Sequence, residues 1–284
     1  MIRVADEVRG ANAVVALETT IVAHGFPPGE GVAVGRESER RVRDAGAVPA
    51  TIGVLDGVIR VGLTDDELSR FDSAARKAGP RELAVCVSSG DVGATTVGGT
   101  LAVCRSAGIR FMGTGGIGGV HRGARLDISA DLLELSRSPV VVVSSGVKSL
   151  LDVEETAELL ETLGVPVLGW RTDTLPRFYD ASGGPPVTQR VDSVEEALDI
   201  ARRHWELGGC GILVTRAPDE SVDVDDLIDE ALAEAERQDV HGQAVTPFVL
   251  ARLHERSGGR TLEVNRDLAA ANAQLAAELA VATA

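Results

Sequence analysis

Several short runs of apolar residues contain no polar residue at alternate positions, and this pattern restricts the fold most. The clearest are PVVVVSS at 139–145, AVVALE at 13–18 and GILVTRA at 211–217. A strand exposed on one face alternates polar and apolar residues, so an unbroken apolar run indicates a strand covered on both faces. Helical patterns such as LLDVEETAELLETLG lie between these runs. The alternation predicts an α/β protein with three α/β/α layers around a central sheet.

Other segments refine this prediction. Further strands are predicted at 51–63, 83–88, 109–113, 165–170 and 186–191. Asp56-Gly57 fits a two-residue hairpin turn, so the sheet should be mixed, with an antiparallel part. Thr64 and Ser193 each begin a capping-box pattern. There is no internal repeat and no long linker, so a single domain is expected over residues 1–284.

Composition excludes some functions. The 284 residues carry a net charge of -15, whereas a nucleic-acid-binding protein needs a basic face, so no nucleic-acid partner is expected. No apolar run approaches the ~20 residues of a membrane span, and the first residues do not resemble a signal peptide. The cysteine number, three, is odd and no CxxC occurs, which favours buried thiols in a reducing compartment. We therefore expect a cytoplasmic protein with no membrane partner.

Lysine usage points to one position. The chain has 28 basic residues, and only Lys77 and Lys148 are lysines. A desolvated lysine amine can lose its proton and attack a carbonyl, which a guanidinium does not do. Lys148 follows the apolar strand at 139–145, near the strand end where α/β sheets bind ligands. A Schiff-base lysine and an ordinary solvated or capping lysine both fit this position.

Glu18 ends another apolar strand. A carboxylate buried at a strand end has a raised pKa and suits general acid–base work. A glutamate at the sheet edge in water is the equally simple alternative.

The glycine-rich stretch GTGGIGGVHRGAR at 113–125 allows two functional interpretations. Its first six residues match the dinucleotide fingerprint literally, but no apolar helix follows, so the match is weak. Its amides could instead cradle a phosphate, helped by His121, Arg122 and Arg125. An ordinary loop with no ligand is the third interpretation.

Two further stretches combine carboxylates or hydroxyls with predicted helix starts. Asp127 and Asp131, with Ser129 between them, could bind a hard divalent ion through oxygen. A helix cap explains the same residues and is favoured. The threonine pair in GATTVGG at 93–99 could favour an anion or simply cap a helix.

Taken together, these segments resemble the pseudouridine-5′-phosphate glycosidase family, which is also described as indigoidine synthase A-like. The similar pieces run in order over nearly the whole chain. They are ALETTIVAHGFP, TIGVLDGVIRVGL, ARKAGPREL, GATTVGGT, GTGGIGGVHRGARLDISADL, SGVKSLLDVEETAELLETLGVPVLGW and TPFVLARLHERSGG.

The resemblance implies reversible conversion of pseudouridine 5′-phosphate and water to uracil and ribose 5-phosphate. It also implies a three-layer fold, one divalent ion per subunit, typically Mn²⁺, and a homotrimer. Lys148 matches the covalent lysine, Glu18 the proton donor and Asp127 the metal ligand. The matching substrate-binding positions are Lys77, Val97, Ser129, Ala130 and Asp131. Asn272 matches an asparagine that contacts the base, and we add Thr114 and His121. The loop before Asp127 is slightly shorter than the family pattern.

Two other functions remain open at this stage. One is a different Schiff-base lyase acting on a sugar phosphate, such as an aldolase. The other is a nucleotide-binding module without chemistry, suggested by the Gly113-x-Gly115-x-x-Gly118 match.

Overall fold

The structure is a computed structural model that describes residues 1–123, 126–240 and 242–284. Its strands are β1 Ile2–Val4, β2 Val14–Glu18, β3 Val48–Leu55, β4 Val58–Val61, β5 Arg76–Ala78, β6 Gly93–Thr95, β7 Phe111–Gly113, β8 Val120–His121, β9 Val141–Ser144, β10 Leu151–Asp152, β11 Val167–Trp170, β12 Gln189–Val191 and β13 Ile212–Arg216. Its α-helices are α1 Asp6–Arg9, α2 Thr20–His24, α3 Gly31–Asp44, α4 Asp65–Leu68, α5 Leu83–Ser89, α6 Val97–Ala107, α7 Ala130–Leu135, α8 Val153–Thr162, α9 Val194–Glu206, α10 Asp225–Arg237, α11 Val245–Arg256 and α12 Arg260–Val281, with a 3₁₀ turn at Gly242–Ala244.

A large mixed sheet forms the middle layer, as predicted. Its strand order is β1-β4-β3-β2-β7-β9-β13-β11-β12, and β6 joins it by pairing with β3. Strands from β3 through β2, β7, β9, β13 and β11 to β12 run parallel. Strand β3 is antiparallel to both β4 and β6. The parallel part directs the carboxyl ends of β2, β7 and β9 to one edge.

Helices cover both faces of this sheet because successive residues of each central strand point to opposite layers. Val15 and Leu17 pack in an apolar cluster with Leu275 of α12. Ala16, between them in β2, belongs to the other cluster with Leu101 of α6. This two-sided burial explains the unbroken apolar runs, since each such side chain contributes about 1.5–3 kcal/mol when removed from water.

The predicted hairpin and helix starts are confirmed. Asp56 and Gly57 have φ angles of 53° and 73°, as the two central residues of a type I′ turn require. Thr64 forms the full capping box with Glu67. Ser193 caps α9 by accepting the Glu196 amide, although the Glu196 carboxylate accepts from the Asp192 amide instead of closing the box.

The predicted strand at 83–88 is wrong, because this segment is the helix α5. Leu83 and Cys86, three residues apart, are its buried residues, whereas Val85 is 44% exposed. A run of six residues is too short to show whether burial repeats every two or every three to four residues. The packing of α5 against the sheet decides in favour of a helix.

Among the described helices, none combines the length and the apolar character needed to cross a membrane. Within the described residues, the three cysteines are free thiols. Cys86 and Cys104 are buried, and Cys210 is partly exposed.

Candidate active site

Three predicted residues meet at the carboxyl edge of the parallel strands. Glu18 is the last residue of β2, Thr114 follows β7, and Lys148 lies four residues after β9. Because β2, β7 and β9 are neighbours in the sheet, these positions converge. Ligands of open α/β sheets bind at this edge.

Two connected spaces open at this edge. The outer cleft is a volume of about 560 Å³, lined by residues that include Lys77, Thr96, His121, Asp127 and 129–131. The inner cavity is lined by α2 and by residues such as Thr114, Phe178, Thr246 and Asn265. Glu18, Lys77 and Lys148 line both spaces, so they stand where the two meet.

Glu18 is buried, with 6% of its surface exposed. Its carboxylate accepts a hydrogen bond from the Thr114 hydroxyl. Burial raises the pKa of this carboxyl, and the positive charge of Lys148 and the Thr114 hydrogen bond only partly oppose the rise. The predicted environment, a carboxyl able to hold a proton, is therefore present, whereas a solvated edge position is not.

Both lysines of the chain enter the site. Lys77 lies in β5 and is half-buried; burial lowers the pKa of its amine, and the nearby charge of Lys148 lowers it further. Lys148 is also half-buried, and its backbone amide donates to the Ile117 carbonyl at 3.2 Å. The nearby charges of Asp131, Glu18 and Glu82 oppose this lowering of the Lys77 pKa.

The turn that carries Lys148 requires a glycine. Gly146 has a φ of 78°, a left-handed value that side chains rarely adopt. A Cβ atom on Gly146 would lie 1.9 Å from the Pro176 carbonyl oxygen. Any side chain here would displace the backbone that leads to Lys148.

The glycine-rich loop is a structural element of the site. The amides of Thr114, Ile117 and Gly118 donate to Val143, Gly146 and Asp131, respectively. Strand β8 follows the loop where the dinucleotide fingerprint requires a helix. The dinucleotide interpretation therefore lacks its structural context, and these three amides are not free to cradle a phosphate.

Asp131 fastens this loop to α6. Its carboxylate accepts the Gly98 amide at 2.7 Å and the Gly118 amide at 2.9 Å, and the residue is 5% exposed. Ser129 caps α7 by accepting the Asp131 amide at 3.3 Å, so the predicted cap is confirmed. Gly118 has no room for a side chain because a Cβ atom would lie 2.3 Å from Ser129 Oγ.

Helix starts and Lys77 give the outer cleft a place for an anion. The beginnings of α6 and α7 both face it, through Thr96 at one helix and Ser129 and Ala130 at the other. Helix N-termini present amides and partial positive charge to anions. Val97, the first residue of α6 and a predicted substrate-binding residue, is buried and lines neither space.

Arg122 and Arg125 were predicted to help bind a phosphate. Arg122 instead donates to the Ser149 carbonyl at 2.7 Å and forms an ion pair with Asp229 at 3.2 Å. Its guanidinium is therefore already engaged by other groups of the protein. Arg125 lies outside the described residues.

The predicted metal ligand Asp127 is half-buried and lines the outer cleft near His121. Burial lowers the pKa of the His121 imidazole, and the charge of Asp127 opposes this. The described residues contain no group of three or more His, Cys, Asp or Glu side chains arranged to hold a metal. Magnesium-like ions are commonly held by one or two carboxylates together with waters and phosphate oxygens, so Asp127 fits that kind of site.

Asn272 contacts the segments that form the site, but it lines neither space. It is fully buried, and its Nδ2 donates to the Thr114 carbonyl at 2.9 Å and the Ser145 hydroxyl at 3.1 Å. It therefore holds together the segments that follow β7 and β9. Asn265, seven residues earlier on α12, lines the inner cavity instead. Residues seven apart share a helix face, which is the signal that could have added Asn265 to the prediction.

The remaining lining of the inner cavity was also missed by the sequence prediction. Its apolar side chains are Ile21, Phe178, Pro247 and Leu250, and its polar ones include His24 and Thr246. These residues come from α2, the segment before Tyr179 and α11, which are far apart in sequence. The cavity offers apolar faces with a few polar groups, as sites for flat heterocycles do.

Residues 3–282 match the family described as "Indigoidine synthase A like protein". A pseudouridine-5′-phosphate glycosidase from Salinispora tropica is 47% identical, covering 100% of this chain and 91% of that protein. An indigoidine synthase A-like protein from Thermotoga maritima superposes with a TM-score of 0.91 at 39% identity, covering 99% and 96% of the two chains. The prealnumycin C-glycosynthase AlnA, solved with ribulose 5-phosphate, gives a TM-score of 0.89 at 40% identity, covering 100% and 97%.

Proposed function

The chain belongs to the indigoidine synthase A-like protein family, and we propose that it reversibly cleaves the carbon–carbon glycosidic bond of pseudouridine 5′-phosphate. The observation that carries this proposal is the position of Glu18 and Lys148, which line both the outer cleft and the inner cavity. The products are uracil and D-ribose 5-phosphate.

The two spaces suit the two ends of this substrate. The phosphate fits the outer cleft, where Lys77 provides a positive charge. The inner cavity, a volume of about 50 Å³, offers apolar side chains to the base. The bond between ribose C1′ and uracil C5 then lies at the junction, next to Glu18 and Lys148.

Lysine is suited to this bond because carbon is a poor leaving group. The Lys148 amine adds to C1′ and loses a proton, while the C1′–O4′ bond breaks and O4′ takes up a proton. Uracil C5 is then protonated, the C1′–C5 bond breaks, and the nitrogen electron pair forms an imine at C1′. Water hydrolyses the imine, which releases ribose 5-phosphate and the free amine.

Glu18 is the proposed proton donor. Its raised pKa keeps a proton available, and the Thr114 hydroxyl fixes its position. General acid catalysis of this kind typically contributes 10²–10⁴-fold to the rate.

Asp127 would hold one divalent ion per subunit, for which we propose Mn²⁺. A bound ion would supply positive charge to the outer cleft next to Lys77. Asp131 contributes indirectly, since its carboxylate is already hydrogen-bonded to Gly98 and Gly118.

We also propose that the protein is a homotrimer and that it works in the reducing cytoplasm. The resemblance to the glycosidase family supports the trimer. The free thiols Cys86, Cys104 and Cys210 are consistent with a reducing compartment. Sedimentation analysis of the purified protein would give the number of subunits directly.

The proposal is tested with purified protein and Mn²⁺ in both directions. We expect uracil release from pseudouridine 5′-phosphate, and synthesis of that nucleotide from uracil and ribose 5-phosphate. Failure in both directions would overturn the proposal. Supplying short aldehydes in place of uracil tests the aldolase alternative, because only an aldolase would join them to the sugar phosphate.

A further inference from the structure

A small third cavity is lined by Glu18 and by Thr114, whose hydroxyl donates to the Glu18 carboxylate. Its other walls include Thr51 of β3, Ser38 of α3 and Ala269 of α12. The cavity has a volume of about 20 Å³. A single water molecule needs roughly 10–15 Å³ and two to four polar partners. The third cavity therefore has the size and the polar lining to hold one water.

Ser38 is the clearest sign that this cavity takes a polar guest. The residue is only 7% exposed, and its hydroxyl forms no hydrogen bond with the described part of the protein. Buried polar groups nearly always have a hydrogen-bond partner. Thr51 is 1% exposed, and its hydroxyl oxygen can accept a hydrogen bond while it donates another. A water between Glu18, Ser38 and Thr51 would satisfy these groups.

Glu39 connects this cavity to solvent. The Thr51 hydroxyl donates to the Glu39 carboxylate at 2.5 Å, and Glu39 is half-buried. Burial raises the pKa of the Glu39 carboxyl. The Thr51 hydrogen bond and the charge of Arg43 oppose the rise, and the charges of Glu7 and Asp65 add to it. Glu39 thus has one side towards solvent and a hydroxyl between itself and the cavity.

The proposed chemistry creates a need for such a connection. Glu18 gives up one proton in each turnover and has to regain one. The outer cleft and the inner cavity, which Glu18 lines, are the two spaces that the substrate fills. Ser38 and Thr51 line neither of these spaces. The third cavity therefore leads away from Glu18 on a side that the substrate leaves open.

We propose that Glu39, Thr51 and one water in the third cavity form a relay that returns a proton to Glu18. This inference rests on the proposed function. Protonated Glu39 gives its proton to the Thr51 oxygen, the Thr51 hydroxyl hydrogen passes to the water, and a water hydrogen passes to the Glu18 carboxylate. Only O–H bonds break and form. Thr51 and the water each gain and lose one proton, and Glu39 regains its own from solvent.

The test uses Glu39→Gln and Thr51→Val, which each remove one proton carrier. The matched controls are Thr51→Ser, which keeps the hydroxyl, and Glu37→Gln on the same helix. Glu37 accepts hydrogen bonds from Arg40 and Arg41 and lines none of the three spaces. Uracil release from saturating pseudouridine 5′-phosphate is followed by rapid quench through the first and later turnovers.

We expect Glu39→Gln and Thr51→Val to release the first uracil at the wild-type rate, because Glu18 is already protonated before the substrate binds. Later turnovers should be slower by at least about tenfold, whereas loss of the acid itself typically costs about 10²–10⁴-fold. The KM for pseudouridine 5′-phosphate and the borohydride trapping of ribose 5-phosphate on Lys148 should match wild type. Both control variants should match wild type in every turnover.

A structural effect would slow the first and later turnovers equally. Equal rates in all turnovers of Glu39→Gln and Thr51→Val would therefore overturn the relay, whether those rates match wild type or fall together. The same slowing of later turnovers in Thr51→Ser or Glu37→Gln would also overturn it. Wild-type protein that releases no uracil would instead overturn the proposed function, so the two failures are distinguishable.

Discussion

Thr114 donates its hydroxyl hydrogen to the carboxylate of Glu18, although 96 residues separate them in the chain. They meet because β2 and β7 are parallel neighbours, with Leu17 opposite Gly113. One residue further along each strand, the two side chains face each other at the carboxyl edge. The contact fixes the proposed proton donor next to Thr114, whose backbone carbonyl accepts a hydrogen bond from Asn272.

Lys148→Arg should abolish the imine. An arginine keeps the positive charge but does not act as a nucleophile, so kcat/KM should fall at least about 10³-fold. Mass analysis after borohydride reduction with ribose 5-phosphate checks this, because the wild-type adduct should map to Lys148 and be absent in the variant.

The matched control for this experiment is Lys77→Arg, which alters the other lysine. It should keep the adduct at saturating ribose 5-phosphate and raise the KM for the sugar phosphate. An adduct on Lys77, or one that persists in Lys148→Arg, would contradict the proposed chemistry.

Glu18→Gln should lower kcat/KM by about 10²–10⁴-fold, since the amide keeps the shape but has no acidic proton to transfer. Wild-type activity should fall as pH rises through the raised pKa of Glu18, because the donor must be protonated. The variant should lack this alkaline limb in its pH–rate profile.

Thr114→Val provides an independent check of the same pKa. The Thr114 hydrogen bond lowers the pKa of Glu18, so its removal should move the alkaline limb to higher pH. A limb that stays in place in Thr114→Val, or survives in Glu18→Gln, would assign it to another group.

Glu18 should also make stability depend on pH. Its folded-state pKa is raised, so its contribution is fully present below the unfolded value of about 4.3 and is lost as pH rises through the folded pKa. Each unit of that rise corresponds to about 1.4 kcal/mol at higher pH. Relative to wild type, the Tm of Glu18→Gln should therefore increase between acidic and alkaline pH. A constant difference in Tm would argue against a raised pKa.

Asp131→Asn should destabilise the fold. Its carboxylate serves the amides of Gly98 and Gly118, and an amide side chain offers only one oxygen for the two. The free energy of unfolding should fall by roughly 1–3 kcal/mol, because one buried N–H loses its acceptor. Denaturant unfolding measures this change.

Asp127→Asn, four residues earlier in the chain, tests the proposed metal ligand separately from the stability of the fold. It should change the free energy of unfolding by less than about 0.5 kcal/mol and yet lose the stimulation of activity by Mn²⁺. Equal destabilisation by both variants, or undiminished Mn²⁺ stimulation in Asp127→Asn, would contradict the division of roles.

Local patterns predicted much of this protein. The apolar runs, the Asp56-Gly57 turn and the Thr64 capping box depend on neighbours in the chain, and each is present as predicted. The prediction for segment 83–88 failed because a run of five apolar residues and a serine fits a strand and a helix equally well. Ser129 was predicted both as a cap and as a substrate-binding residue; the cap is present, and it also lines the outer cleft.

The sequence by itself determined the layered fold, the exceptional status of Lys148 and the candidate acid Glu18, because strand periodicity and side-chain chemistry are local properties. Only the tertiary structure decided that Asp131 binds two backbone amides, that Asn272 donates to the Thr114 carbonyl, and that His24 and Asn265 line one cavity. Those relationships join segments that are distant in the chain. Burial and hydrogen-bond partners depend on which strands become neighbours, and that information is not contained in any local pattern.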